Sequence, residues 1–326
     1  MPQTSKGISF FRWLKTISFR YRKIIIFLFI FWGLWTFGLG ALGGWFLSKA
    51  GLDKFPDLSK NDHLLILAPH IDDEAISSAG LIQQALNVGA KVKIIYMTNG
   101  DDNLFSIAKQ ERDLRLNPND FIKLGEKRMS EGEKATQILG LKREDLFFLG
   151  YPDRGLYLMF NNFYNTLYSS QGTKLAYNPY NDTYKTQQGY TGSNVTADLE
   201  EIIKNFQPTI IIVSHPRDKN SDHRATYLFL NKVLNGQVNK TKIFTYLVHY
   251  PFYPPQRKLS PNEFLYPPKK LFSQKGWFSF DLSSAQENKK LAAIEKNSSQ
   301  KEFGQFYDLL HSFIKRNEIF EEMESF

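Results

Sequence analysis

The apolar run Leu64-Leu65-Ile66-Leu67-Ala68 stops at Pro69 and empties without a spacer into His70-Ile71-Asp72-Asp73-Glu74. A short uninterrupted apolar stretch bounded by proline is the pattern of a strand buried on both faces, which implies a parallel sheet under helices. Ligands of open α/β sheets gather at the carboxyl ends of such strands, so a histidine and three acids stand where a site belongs. Four further runs repeat the pattern. Lys91–Thr98 ends in Asn99-Gly100-Asp101-Asp102, Leu146–Leu149 in Gly150-Tyr151-Pro152-Asp153, Thr209–Val213 in Ser214-His215, and Ile243–Val248 in His249. Helical spacing fills the intervals: Ile76, Ala79, Ile82 and Leu86 after the first run, Arg128–Leu139 before the third, and Val195, Leu199, Ile202 and Ile203 before the fourth. The expected fold is α/β, with a mostly parallel Rossmann-like sheet and helices on both faces.

His70 and Asp73 bracket a tight turn that could aim an imidazole and a carboxylate at one divalent ion. Asp72, between them, stays free and is placed to act as a general base. The competing reading is that these acids only cap and charge the first turn of the following helix. The second cluster, Ser214-His215-Pro216-Arg217-Asp218-Lys219-Asn220-Ser221-Asp222-His223, favours the metal. Two His/Asp groups at the ends of two strands of one sheet converge on one rim, which packing alone does not explain.

The first segment resembles the His-Pro-Asp-Asp-Glu signature of the PIG-L/LmbE-like family of zinc-dependent N-acetylglucosaminyl deacetylases, with Ile71 where that family usually has proline. The resemblance implies zinc on His70 and Asp73, with Asp72 as base, the same division that the spacing suggests. It implies His223 as the third ligand, at the last position of a His-Pro-Asp-His segment that here reads Asn220-Ser221-Asp222-His223. Asn220 thus stands where the family has a histidine credited with the transition state or the leaving amine. Asparagine can donate to an oxyanion but cannot carry a proton. His215 and His249 are the two candidates to replace it, and His249 is preferred because its strand end faces the same rim. The stretch from Arg128 through Glu131 to Tyr151-Pro152-Asp153 also looks like the family; by resemblance Arg128 and Asp153 contact sugar hydroxyls, against the alternative of an ion pair tying helix to loop. The likeness covers roughly residues 62–249.

Ahead of this domain, residues 1–23 carry Lys6, Arg12, Lys15, Arg20, Arg22 and Lys23 and no acid, and Ile24 to Phe46 runs without a charge. That length crosses a bilayer at ~1.5 Å rise per residue and exceeds the apolar core of ~7–15 residues in a cleaved signal peptide. The expected organisation is a basic cytoplasmic segment (1–23), one transmembrane anchor (24–46), a linker (47–61) and a deacetylase-like domain (62–250). Within that domain, residues 155–193 form an aromatic and polar insertion. A Pro-rich cover and C-terminal helices, ending in an acidic tail (251–326), complete the chain. The positive-inside rule keeps the N-terminus cytoplasmic and places the catalytic domain outside. The insertion holds seven tyrosines and two phenylalanines, so it is either a sugar-binding lid or a loop that packs its rings on the domain.

The expected activity is hydrolysis of the acetamide of an N-acetylglucosamine-type sugar, on a glycolipid, polysaccharide or glycoconjugate. Zn2+ is the expected cofactor, with another divalent transition metal as alternative. Two competitors stand: a zinc amidase acting on another amide, and a tethered saccharide-binding protein with a degenerate site. Part of the net charge of +8 sits in the first 23 residues, and the domain lacks basic runs interleaved with stacking aromatics, which excludes a nucleic-acid partner. The absence of cysteine excludes a thiolate metal site.

Overall fold

The computed structural model describes residues 19–33, 52–102, 117–235, 241–272, 276–300 and 304–323. It divides into two units, Met1–Leu52 and Asp53–Phe326. In the first, Phe19–Gly33 forms helix α1, about 22 Å long at the usual rise. Ile24, Ile26, Phe27, Leu28, Ile30 and Phe31 on it are all exposed. Of the anchor expected over 24–46, residues 24–33 lie in this helix and residues 34–46 lie outside the described residues. Among the described residues no helix is long and apolar enough to cross a membrane, so the spanning helix is not shown.

The second unit is built on an eight-stranded sheet. Its strands are β1 (Asp53–Lys54), β2 (His63–Ala68), β3 (Lys91–Thr98), β4 (Leu146–Tyr151), β5 (Ile210–Ser214), β6 (Lys242–Tyr246), β7 (Trp277–Asp281) and β8 (Asn317–Met323), in the order β1-β7-β8-β6-β5-β2-β3-β4. The five expected strands form the parallel block β6-β5-β2-β3-β4. Their aliphatic runs carry no polar alternation because helices cover both faces, and Leu64 to Leu67 are fully buried. Strand β2 lies between β3 and β5, with Leu67 opposite Ile95 on one side and Val213 on the other. From β2 the chain progresses to β3 and β4 on one flank and to β5 and β6 on the other, so the carboxyl ends of β2 and β5 open at a switch point of the topology.

Helix α2 (Asp73–Asn87) follows β2 directly. Helix α3 (Pro118–Leu139) starts ten residues before the Arg128 expected from periodicity, because Asn117 and Asp120 close a capping box around an N-terminal proline; Gly140 in the left-handed region ends it. Helices α4 (Leu156–Asn161), α5 (Gly192–Phe206) and α6 (Ser221–Leu234) flank the other strands. Within the 155–193 insertion, Tyr168, Tyr180 and Tyr190 are buried, and Tyr180 Oη donates to Asp101 at 2.7 Å. For these three rings the packing alternative holds.

Two boundaries differ from the sequence reading. Residues 53–61, read as linker, belong to the folded unit: Asp53 and Lys54 pair with β7, and buried Phe55 packs on Phe244, Phe320 and Phe280 at 4.7, 5.2 and 6.2 Å. The C-terminal region, read as a cover with helices and an acidic tail, contributes α7 (Lys269–Phe272), α8 (Ser284–Ile294) and α9 (Gly304–Ser312), but also strands β7 and β8. β8 runs antiparallel between β6 and β7, and two of its three acids, Glu318 and Glu321, are bound inside. Glu318 accepts from Lys290 Nζ and the Gly80 amide at 2.9 Å and from the Leu81 amide at 3.0 Å. Glu321 meets His215 Nε2 at 2.6 Å. A buried carboxylate with such partners is compatible with an inner strand; an unpaired one is not.

Candidate active site

Pro69 carries the chain off β2 into His70, Asp73 opens α2, and His223 sits in the first turn of α6, whose N-cap is Asn220. Three atoms meet there in a near-equilateral triangle. His70 Nδ1 lies 3.4 Å from Asp73 Oδ2, His223 Nε2 lies 3.3 Å from Asp73 Oδ2, and the two nitrogens are 3.3 Å apart. A tetrahedral ion with bonds of about 2.0–2.1 Å requires its ligand atoms roughly 3.3–3.4 Å from one another. Two imidazoles and one carboxylate at that separation therefore fit a divalent transition metal, with one position left over for water or substrate.

The far side of each histidine is held by carboxylates, the support that fixes ring orientation at metal centres. His70 Nε2 faces Asp153 Oδ1 at 3.3 Å and Asp222 Oδ2 at 3.6 Å. His223 Nδ1 faces Asp218 Oδ2 at 3.2 Å, and that oxygen also accepts from the amides of Val248 and His249. His70, Asp153 and Asp222 make a second grouping close enough to hold a cation. Both oxygens of Asp222 are taken there, by the amides of Arg154 and Leu156, whereas Asp73 accepts one amide, that of His70, and its ligand atom is evenly spaced from the two nitrogens, so we assign Asp222 to support and the triangle to the metal.

The electrostatics agree. Burial opposes protonation of His223, yet Asp73 and Asp218 push it up to about 10. His70 is likewise raised, against burial, by Asp153, Asp222 and Asp73. Burial opposes ionisation of Asp73, but His223 and His70 hold it well below the usual carboxylate range. Carboxylates that force protons onto two buried imidazoles describe a site short of positive charge, which a divalent cation supplies.

Asp72 has φ 131°, a conformation costing a non-glycine residue of order 1–3 kcal/mol. Its backbone amide donates to Glu74 Oε2 at 3.1 Å and its Oδ2 lies 3.3 Å from Arg128 Nη2. Burial pushes the Asp72 carboxyl up to about 7, against the pull of Arg128. Arg128 lines the cleft but spends donors on the loops beside it. It is buried on α3 and donates to the carbonyls of Gly100 at 3.0 Å and Ile71 at 2.6 Å, so the helix-to-loop tie fits it better. Asp153 stands behind His70 rather than apart from it.

His70, Asp72, Asp73, Arg128, Asp153, Asn220 and His249 all line one cleft of about 180 Å3, and Ile76, Val248, Leu309 and Leu310 make its apolar side. His223 lies fully buried at the same centre. His249 has its ring 4.8 Å from that of His223; burial and the His223 charge push it down to about 4, leaving a neutral imidazole at pH 7. His215 points elsewhere, paired with Glu321 and stacked on Trp277. Asn220 Oδ1 caps α6 through the Asp222 amide at 2.8 Å. The supporting roles of Asp218 and Asp222 escaped the sequence reading, although both lie inside the second cluster at i and i+4.

A family model described as PIG-L, GlcNAc-PI de-N-acetylase, matches residues 65–234, 170 of the 326 residues and just over half of the chain. The chain belongs to the PIG-L family. It is accordingly an N-deacetylase, of a type acting on N-acetylglucosamine-like substrates. No curated protein matches it. Among solved structures it is similar to the N,N'-diacetylchitobiose deacetylase from Pyrococcus horikoshii, at 19% identity over 80% of this chain and 84% of that one, with a TM-score of 0.48. It is also similar to the A40926 pseudoaglycone deacetylase, at 14% identity over 82% and 99% of the two chains and a TM-score of 0.50. A third likeness is to the 4-carboxy-2-hydroxymuconate hydratase GalB from Pseudomonas putida, at 14% identity over 76% and 82% and a TM-score of 0.46. At these identities the structural likeness speaks to the fold alone.

Proposed function

We propose that this PIG-L family member removes the acetyl group from an N-acetylglucosamine-type sugar at the cleft, with zinc as the divalent ion on His70, Asp73 and His223. The observation that carries the reading is the triangle of ligand atoms at 3.3–3.4 Å, with the carboxylate of Asp72 outside the triangle and lining the same cleft. An ion bound there supplies Lewis acidity and brings the pKa of water to about 7. Asp72 takes the proton from the attacking water as its oxygen bonds to the acetamide carbon. Neutral His249, with the side-chain amide of Asn220 as second donor, hydrogen-bonds the oxygen that gains charge. Asp72 then returns its proton to the nitrogen as the C–N bond breaks, so that acetate and a free amine leave. Arg128 keeps Asp72 aimed throughout.

Acetate release from a chitooligosaccharide or a simple N-acetylglucosamine glycoside tests the reading. Zinc-loaded protein that binds such sugars well yet releases no acetate from any of them would establish the tethered saccharide-binding alternative. Release only from unrelated amides would establish the amidase.

His249→Ala is expected to lower turnover by about tenfold to a hundredfold without changing metal content. His215→Ala, which strips Glu321 of its partner, is expected to lower the melting temperature and leave turnover near the wild-type value. Kinetics, metal analysis and thermal unfolding on the two proteins decide between them, and the reverse pattern would reassign the role to His215.

Membrane anchoring belongs to the same proposal. It is supported by the uncharged run 24–46 behind six basic residues and by the exposed apolar side chains of α1, and it suits a lipid- or wall-borne substrate. The catalytic unit is then extracytoplasmic. A C-terminal reporter that is active only in the cytoplasm should stay silent; a signal from it refutes the topology.

A further inference from the structure

We infer that Gln300, far from the ligand residues in sequence and outside the 65–234 stretch that matches the family, is a positioning residue. It seats the Arg128 guanidinium, and that guanidinium fixes Asp72. The inference rests on the deacetylase reading for its kinetic arm only.

Arg128 has five N–H donors in a rigid plane, and the loops after β2 and β3 use two of its edges, through the carbonyls of Ile71 and Gly100. The rest of the fork meets Gln300. With its amide oxygen turned toward the arginine, the orientation that satisfies both groups, Gln300 accepts from Nη1 at 2.7 Å, whose other N–H goes to Gly100, and lies against the rest of the guanidinium. Both side chains are almost fully buried, so water does not readily take over those bonds.

Gln300 is itself held in place from α3. It ends the short 3-10 turn Ser298–Gln300, and Glu131, three residues along the helix from Arg128, grips that turn. Glu131 Oε1 accepts from Ser298 Oγ at 2.5 Å and from the Ser299 amide at 2.9 Å, and its Oε2 accepts from Ser299 Oγ at 2.6 Å. The two contacts are reciprocal, since α3 donates through Arg128 and accepts through Glu131. They fix the turn on the helix at two points one turn apart.

The residue type matters. A neutral acceptor holds the guanidinium without neutralising it, which leaves its charge for Asp72 Oδ2 at 3.3 Å. A carboxylate in the same place would seat the arginine but compete for that charge. Gln300 also lines the cleft, so contact with substrate is the rival explanation and the test has to separate the two.

Gln300→Met keeps length and removes the amide acceptor; Gln300→Glu keeps length and an acceptor. For Gln300→Met, kcat is expected to fall about tenfold, as when buried donors lose a partner, with KM within twofold of wild type and zinc content unchanged. Crystal structures of the two variants and the wild type should show Arg128 displaced from Asp72 in Gln300→Met and seated in Gln300→Glu, whose kcat should lie nearer wild type. In an Arg128→Met background, Gln300→Met should cause no further loss. A rise in KM at constant kcat, additive losses in the double variant, or Arg128 still seated in Gln300→Met overturns the inference. If the wild type releases no acetate, it is the deacetylase reading that fails, and the crystal structures still decide whether Gln300 seats Arg128.

Discussion

Asp72→Asn is expected to bind metal as the wild type does and to turn over at least about a hundredfold more slowly, the range for loss of a general base. The substitution preserves shape and leaves the backbone amide bond to Glu74 in place, and Asp72 has no part in the ligand triangle. The carboxylate's basicity is what disappears. Because burial pushes this carboxyl up to about 7, lowering the pH through that region adds a proton and removes the base; a bound cation moves the same limb to lower pH. The wild-type rate should therefore fall on the acid side, and the residual rate of Asp72→Asn should lack that limb. Metal analysis with a pH series of kcat checks both parts. Zinc lost together with activity, or an acid limb unchanged in the variant, contradicts the assignment.

His223→Ala is expected to lose the metal, all measurable turnover and part of the stability of the fold. His223 is fully buried between two carboxylates, 3.3 Å from Asp73 and 3.2 Å from Asp218. Its removal takes a ligand and leaves two interior acids facing each other without the imidazole. Stripping one partner from a buried pair typically destabilises by about 3–5 kcal/mol. His223→Gln fills much of the space and should recover part of the melting temperature without recovering zinc. Stoichiometry near one zinc per chain in both His223→Ala and His70→Ala would sink the ligand set.

The parts of this fold that were legible in the sequence are those written in adjacent residues. Leu64–Ala68 and Ile210–Val213 announce strands by having no polar residue for the far face, and the division of labour among His70, Asp72 and Asp73 follows from a turn of four residues. What escaped depends on partners far along the chain. Arg128 stayed open between a group for substrate and a tie of helix to loop because nothing near it in sequence shows the carbonyls of Ile71 and Gly100 closing over it. In the sequence, His249 is preferred to His215 on the direction of its strand end alone; that Glu321, 106 residues beyond His215, claims that histidine is not written near either of them. Asn317–Met323 looked like an acidic tail because Lys290 and the amides of Gly80 and Leu81, which make Glu318 an interior residue, are invisible in the segment itself.

The place of β8 also bears on biosynthesis. Strand β6 is complete once Tyr246 has been made, but its outer edge is paired by residues 321–323, with Ile243 opposite Met323. During the interval a nascent chain carries the parallel block with the β6 row of amides and carbonyls open, the form of edge that recruits other strands. The fold thus closes late and through a contact of long sequence separation, which slows acquisition of the native state. A ribosome stalled between Tyr246 and Asn317 should hold an intermediate that pairs readily with an added β-strand peptide, and release of the segment through Met323 should end that reactivity.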